Sequence, residues 1–327
     1  MAGFNRDTTT DEVLEGMDLS TRRIVVTGAA SGLGFESSRA FAAHGAAVTM
    51  LARSRERAQE SVDRLRVLLP AAHLEADVVD LSDLSSIERF AEHYLKRHEA
   101  IDVLVNNAGV MACPLSRTVD GFEMQFGTNH LGHFAVTGRL APALLAGDSP
   151  RVVTLSSAGH SRSDVDLDDF NFEVTPYDAW LAYGRSKTAN ALFARELATR
   201  AGPIGLLSFS VHPGGIVTEL GRHLDDQLRN DMRSFARERA IRFADYDEGG
   251  EPRRMPFKSV PAGAATQVWA ATAASLGEHN GAYLADCDLG VQGVNPTANG
   301  FMDYLVDDDN ARRLWELSER LTGVSFL

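Results

Sequence analysis

The chain has 327 residues, 44% of them hydrophobic and 24% charged, which is ample apolar material for a sizeable core. Its 32 basic side chains against 45 acidic ones leave a net charge of −13, which argues against nucleic-acid binding and against a polybasic membrane attachment. With two cysteines (Cys113 and Cys287) and no apolar run of the ~18 residues a membrane span needs, it is expected to be a reduced, soluble, cytoplasmic protein without a disulfide framework or cysteine zinc site.

Residues 1–20 carry Asp7, Asp11, Glu12, Glu15 and Asp18 and read as a polar, irregular N-terminal arm rather than a secretory leader. From there a rhythm sets in. Short apolar runs at Arg22–Thr27, Ala47–Leu51, Val103–Asn106, Arg151–Leu155 and Leu207–Val211 read as buried strands, with one more expected within 73–80. Helical spacing runs through Leu33–His44, Leu84–Arg97, Gly121–Leu145 and Leu181–Arg200. This alternation predicts an α/β, single-domain, doubly wound parallel sheet of about seven strands, with helices on both faces, over 21–327. Two long polar connections interrupt it. One is 158–180; the other, 214–260, is charge-dense, is broken by Gly249, Gly250, Pro252 and Pro256, and is expected to form a substrate lid. A last helix is expected at about 307–322.

After the first strand comes Thr27-Gly28-Ala29-Ala30-Ser31-Gly32-Leu33-Gly34, opening a helix. Glycines at 28, 32 and 34 permit a tight turn, and free N–H groups at the helix start then face a pyrophosphate. The second strand closes on Ala52-Arg53-Ser54-Arg55, with no acid before Glu56. An acid there would bond the ribose hydroxyls of NAD; an arginine suits a 2′-phosphate instead, so NADP(H) is favoured over NAD(H).

Tyr183 and Lys187, four apart, share one face of a predicted helix, where an ammonium favours the phenolate. Ser156 and Ser157 end a strand at the sheet edge where such folds bind ligands, and Asn106 and Asn107 end another. His130 and His133 lie three apart on a helix but have no third candidate ligand, so no metal site is expected.

In order along the chain, TGAASGLG at 27–34, NNAG at 106–109, Asn129, Ser157, YGRSK at 183–187 and HPGG at 212–215 resemble the short-chain dehydrogenase/reductase family. The stretches ARS at 52–54, FGTNHLGHF at 126–134, SKTANALFARELA at 186–198, GAYLADC at 281–287 and ARRLWELSERLTG at 311–323 are similar to its retinol dehydrogenase and WW-domain oxidoreductase branch. The resemblance implies Tyr183 as general acid/base and Ser157 as hydrogen-bond partner of the substrate oxygen. It also implies Lys187 as modulator of the tyrosine and ribose ligand, and Asn129 as holder of a water next to Lys187. Gly28, Gly32, Leu33 and Gly34 would cradle the pyrophosphate, with Arg53, and Ser31 in the glycine turn, placed to bond the 2′-phosphate. Asp80, in preference to Asp77, and Leu81 would meet the adenine, with Asn107, Ala108 and Gly109 lining the adenosine ribose. Pro213, Gly214, Ile216 and Thr218 would contact the nicotinamide end, and Met111, Trp180, Ile216 and Leu220 could form an apolar lining.

The implied activity is interconversion of an alcohol and its ketone or aldehyde on a bulky apolar small molecule, with the enzyme a homodimer or homotetramer. The alternatives are a catalytically silent NADP(H) sensor and an NADPH-dependent C=C reductase.

Overall fold

The computed structural model describes residues 3–231, 234, 257–293 and 299–327. A single eight-stranded sheet organises them, in the order β3-β2-β1-β4-β5-β6-β7-β8. Its strands are β1 (Arg23–Thr27), β2 (Ala47–Ala52), β3 (Leu74–Val78), β4 (Val103–Asn106), β5 (Arg151–Leu155), β6 (Leu207–His212), β7 (Tyr283–Ala285) and β8 (Asp288–Leu289). The first seven are parallel; β8 folds back antiparallel on β7, one strand beyond the expected count. The order reverses between β1 and β4, as register pairs such as Val25–Leu104 show. β5 is buried along its whole length, as a sheet covered on both faces requires.

The helices include α1 (Thr10–Leu14), α2 (Gly32–Ala43), α3 (Arg55–Leu68), α4 (Leu84–Leu95), α5 (Met124–Phe126), α6 (Gly132–Leu145), α7 (Ala179–Ala201), α8 (Val260–Thr272) and α9 (Asp308–Thr322). Side-chain caps start most of them: Ser54 accepts from Arg57 N–H, Asp178 from Leu181 N–H, Ser259 from Ala262 N–H and Asp307 from Asn310 N–H. One face of the sheet packs on α1, α2 and α8, where Val13, Leu14, Phe41, Val268 and Trp269 join the core. The other packs on α4, α6 and α7, with Ile87, Phe134 and Phe193.

Two expectations change. The arm is not irregular throughout: Thr9 and Glu12 form a reciprocal capping box, and α1 buries Val13 and Leu14 against the core. The helix expected over 121–145 starts at Met124 and contains a π turn, Gly127–Leu131. A two-stranded pair, β9 (Val291–Gln292) with β10 (Gly300–Phe301), also forms near the C-terminal end. Most of the expected lid falls outside the described residues, at 232–233 and 235–256.

Candidate active site

The carboxyl ends of six parallel strands form one row. Read along the sheet order, they carry Asp80 after β3, Arg53 after β2, Gly28 after β1, Asn107 after β4, Ser157 after β5 and Pro213 after β6. This is the crevice at a topological switch point, where open parallel sheets bind their ligands.

The middle of the row is a cradle built from backbone. Gly28 sits at φ 64°, and a Cβ there would lie 2.9 Å from Ala108 Cα, while one on Gly34 would lie 2.4 Å from the Gly28 carbonyl oxygen. Thr27 ties the two halves together: its hydroxyl accepts from the N–H groups of Asn107 (2.9 Å) and Ala108 (3.0 Å). The Asn107 amide donates back to the Thr27 carbonyl at 2.8 Å. With both lone pairs used, the Thr27 hydroxyl hydrogen points to His133 Nε2 at 2.9 Å, and the other ring nitrogen, Nδ1, donates to the Asn129 carbonyl at 2.8 Å. Burial holds His133 neutral, its pKa lowered to about 4.

Asn129 lies in the π turn, with a side chain that is fully satisfied. It accepts from Val110 N–H (2.8 Å) and donates to the Val110 carbonyl (3.0 Å) and to Ser186 Oγ (3.0 Å). A Cβ on Gly109 would lie 3.0 Å from Asn129 Oδ1 and 3.9 Å from Lys187 Nζ, so all three meet at one point.

Tyr183, Ser186 and Lys187 occupy the second and third turns of α7. The Ser157 hydroxyl and the Tyr183 ring both close on Gly159, where a Cβ would lie 3.4 Å from Ser157 Oγ. Ser157 Oγ also accepts from Gly159 N–H at 3.0 Å, which leaves its own hydrogen available for an oxygen in front of it. Gly159 makes room for the ring, since a Cβ there would lie 2.7 Å from Tyr183 Cε1. Lys187 donates to the Leu155 carbonyl at 2.8 Å, with its ammonium 5.7 Å from the Tyr183 ring centroid. Burial pushes Tyr183 up to about 12, against the lowering influence of Ser157, and brings Lys187 down to about 7. Desolvation thus outweighs the expected lowering of the phenol by its neighbour.

On one side of Tyr183 stands an apolar wall of Ala112 and Trp180 with Leu224, backed by Met111 and Leu228. Of the expected lining, Met111 and Trp180 are there. Ile216 instead converges with Leu33 on Gly263, where a Cβ would lie 2.4 Å from Ile216 Cγ1. Leu220 sits in the short turn Glu219–His223, and its N–H donates to Thr218 Oγ1 at 3.3 Å.

Beyond β6, His212 Nδ1 accepts from Ala158 N–H (3.2 Å) and Gly214 N–H (3.4 Å), joining the serine strand to the Pro213-Gly214 turn. Lys258, its side chain 2% exposed, pairs with Asp286, lays its stem against Gly214, and donates its backbone N–H to the Gly215 carbonyl at 2.9 Å. At the opposite end, Asp77 is taken up by Arg97 at 2.5 Å. Asp80 accepts from the N–H and hydroxyl of Ser82 (2.9 and 2.7 Å), beside the buried Leu81. Thr218 packs its methyl against Gly32, and Ser31 Oγ donates to Glu219 at 3.1 Å.

His133, Gly159 and Lys258 were absent from the sequence-based site. His133 carried a faint signal in the His130–His133 spacing, and its actual use is a strut between the glycine turn and Asn129. His130 Nε2 faces Ser318 Oγ of α9 at 2.8 Å instead.

The family model described as short chain dehydrogenase matches residues 22–229. A Streptomyces antibioticus protein named "Probable oxidoreductase" is 40% identical over 305 residues, which is 92% of this chain and 97% of that one. Human "Retinol dehydrogenase 13" is 34% identical, covering 93% of this chain and 85% of its own length. A solved structure from Mycobacterium paratuberculosis superposes with a TM-score of 0.72 at 32% identity, covering 96% and 98% of the two chains.

Proposed function

The chain belongs to the short-chain dehydrogenase/reductase family and is an oxidoreductase, and from that premise we propose that it uses NADP(H) to interconvert a bulky apolar alcohol and its ketone or aldehyde, with Tyr183 as general acid/base. The observation that carries this reading is the convergence of the Tyr183 ring and Ser157 Oγ around Gly159 at the carboxyl edge of β5, with the Lys187 ammonium 5.7 Å from the ring centroid.

In the reducing direction, the Tyr183 hydroxyl donates its proton to the carbonyl oxygen while the Ser157 hydroxyl donates a hydrogen bond to the same oxygen. The tyrosinate left behind is stabilised by the Lys187 ammonium. Asn129 acts at a distance from the oxygen: by clamping Val110 and Ser186 it sets the position of the Gly109 turn against α7.

A nicotinamide cofactor supplies or accepts the hydride. The residues fit one. At Gly28 and Gly34 a Cβ would collide with Ala108, Asn107 or the Gly28 carbonyl, so only glycine lets the turn close this tightly, which suits a pyrophosphate. Arg53 stands after β2 where an NAD site would place an acid, so the 2′-phosphate of NADP has a cationic partner. Asp80 and Leu81 would meet the adenine, Asn107, Ala108 and Gly109 the ribose, and Pro213, Gly214, Ile216 and Thr218 the nicotinamide end.

Met111, Trp180, Leu224 and Leu228 beside Tyr183 support an apolar substrate, in keeping with a relative named for retinol. The test is a panel of aryl, steroid-like, terpenoid and retinoid carbonyls, followed by the loss of reduced-nicotinamide absorbance with NADPH and with NADH. Tyr183→Phe should still bind NADPH and lose at least ~10²-fold in turnover. Near-normal turnover in that variant would end the assignment.

A further inference from the structure

Beside the carboxyl end of β2 lies a cleft of about 480 Å³ lined by Arg53, Ser54, Arg57, Glu219 and Arg222. Its two walls come from distant parts of the chain. Arg53, Ser54 and Arg57 belong to the β2–α3 junction; Glu219 and Arg222 belong to the short turn after β6. That turn is docked on the glycine cradle at two points: Thr218 against Gly32, and Glu219 accepting from Ser31 Oγ at 3.1 Å. Arg222 is oriented within the turn by donating to the Glu219 carbonyl at 3.2 Å.

The charges in this cleft do not balance. Among the described residues that line it, three are arginines and one, Glu219, is an acid, whose carboxylate accepts from Ser31. Partial burial and the nearby charges of Arg53 and Arg57 lower the pKa of Arg222, as like charges facing one another do. Guanidinium groups in excess over acids among the described lining residues are the chemistry of a phosphate monoester site.

We infer that Arg222 is a specificity-determining residue, a third guanidinium that grips the adenosine 2′-phosphate of NADP(H) from across the cleft, and that Glu219 is the carboxylate competing with that phosphate. This rests on the NADP reading but goes beyond it, because Arg222 is delivered by the segment that also carries Leu224 and Leu228 to the wall beside Tyr183. The phosphate thereby draws the substrate wall and the β2–α3 junction together, so the identity of the cofactor influences the shape of the substrate pocket. Ser31, expected to bond the phosphate itself, is engaged by Glu219 and becomes available only when that carboxylate turns away.

The test is a titration of the protein's fluorescence with NADPH and, separately, NADH, in wild type, Arg222→Ala, Glu219→Gln and Arg53→Ala, with the fold checked by circular dichroism. Arg222→Ala should raise the Kd for NADPH about tenfold and leave that for NADH within about twofold, as loss of one charged contact to phosphate predicts. Glu219→Gln should act in the opposite direction, tightening NADPH by roughly two- to fivefold with NADH unchanged. The Arg222 assignment is overturned if its alanine variant leaves NADPH binding intact, or weakens both nucleotides equally. In that case, selective loss of NADPH binding in Arg53→Ala would leave the NADP reading standing. Equal affinity of the wild type for both nucleotides, unaltered in every variant, would sink the NADP reading as well.

Discussion

The Lys187 ammonium donates to the carbonyl of Leu155 at 2.8 Å, the last residue of the strand that leads into Ser156 and Ser157. The bond is reinforced from both sides: Asn190 Nδ2 donates to the same carbonyl at 2.9 Å, and Ser156 Oγ donates to the Lys187 carbonyl at 2.8 Å. Helix α7 and strand β5 are therefore pinned together at the height of Ser157 and Tyr183. A cation placed so deep is costly, and the cost shows in its pKa, which burial brings down to about 7.

That cost predicts a trade of stability against activity. In the unfolded chain the lysine stays protonated up to about pH 10.4, so between pH 7 and that value the unfolded state binds more protons and native stability rises with pH. Lys187→Met removes the buried charge. The cofactor-free variant should melt higher than wild type, by on the order of a few kcal/mol at and below pH 7, with the difference fading toward pH 10. Turnover should collapse in the same variant. Thermal melts across pH check the first part; a variant less stable than wild type at pH 6 would show that Lys187 holds the fold together rather than straining it.

His133 calls for a different experiment, since it touches neither Tyr183 nor Ser157 in any hydrogen bond described above. Its two ring nitrogens join the Thr27 hydroxyl to the Asn129 carbonyl. His133→Leu leaves the Asn129 carbonyl without that donor, at a cost of ~1–3 kcal/mol, and unties the glycine cradle from the π turn. NADPH affinity and turnover should both fall. The pH dependence separates this from simple damage. A buried histidine with a pKa of about 4 stabilises the native state fully above the unfolded value near 6.5, and that stability is lost as pH falls from there toward 4. The stability deficit of His133→Leu should accordingly shrink as pH falls from 7 to 4.5, measured by denaturant titration at each pH; a constant deficit would contradict the buried-neutral assignment.

Much of the fold is legible in the residues. The apolar runs at β1, β2, β4, β5 and β6 are short, rich in β-branched residues, and end in polar ones (Thr27, Asn106, Ser156) where the chain leaves the sheet. The polar endings are also why the row of strand ends could be anticipated as a binding edge. The remaining elements leave little trace in the sequence, for physical reasons. Helix α8, VPAGAATQVWAAT, is buried on nearly every side, so it has no polar face to make a period. Helix α3, RERAQESVDRLRVL, has the reverse problem: Ala58, Val62 and Leu65 are its main apolar contacts amid charges. Strands β7 and β8 are three and two residues long, too short for any alternation to show.

The site divides along the same line. Local signals such as the glycine turn and the four-residue Tyr183–Lys187 spacing are visible in one dimension. Arg222 beside Arg53, and Lys258 beside Asp286, depend on where the chain returns after β6, which no local pattern encodes. Gly159 belongs to this second group, because its need for hydrogen at Cα is set by the Tyr183 ring, which arrives from another element.

Helix α9 stabilises the machinery from behind. Trp315 is 1% exposed and meets Phe134 of α6 (ring centroids 5.0 Å), Phe193 of α7 (5.9 Å) and Phe326 (4.8 Å), with the Arg200 guanidinium 4.7 Å from its ring. Deleting such a ring costs both its transfer energy and the cavity left behind, so Trp315→Ala should destabilise by ~3–5 kcal/mol. Arg313→Ala, on the exposed side of the same helix, should change stability by no more than ~0.5 kcal/mol. Because Asn129 in the π turn is held by Val110 and Ser186, and Lys187 of α7 by the Leu155 carbonyl, the folded fraction of Trp315→Ala should keep its KM for NADPH. Denaturant midpoints, with kinetics measured well below the melting temperature, check both parts. A raised KM in fully folded Trp315→Ala would show that α9 shapes the cleft as well as stabilising the fold.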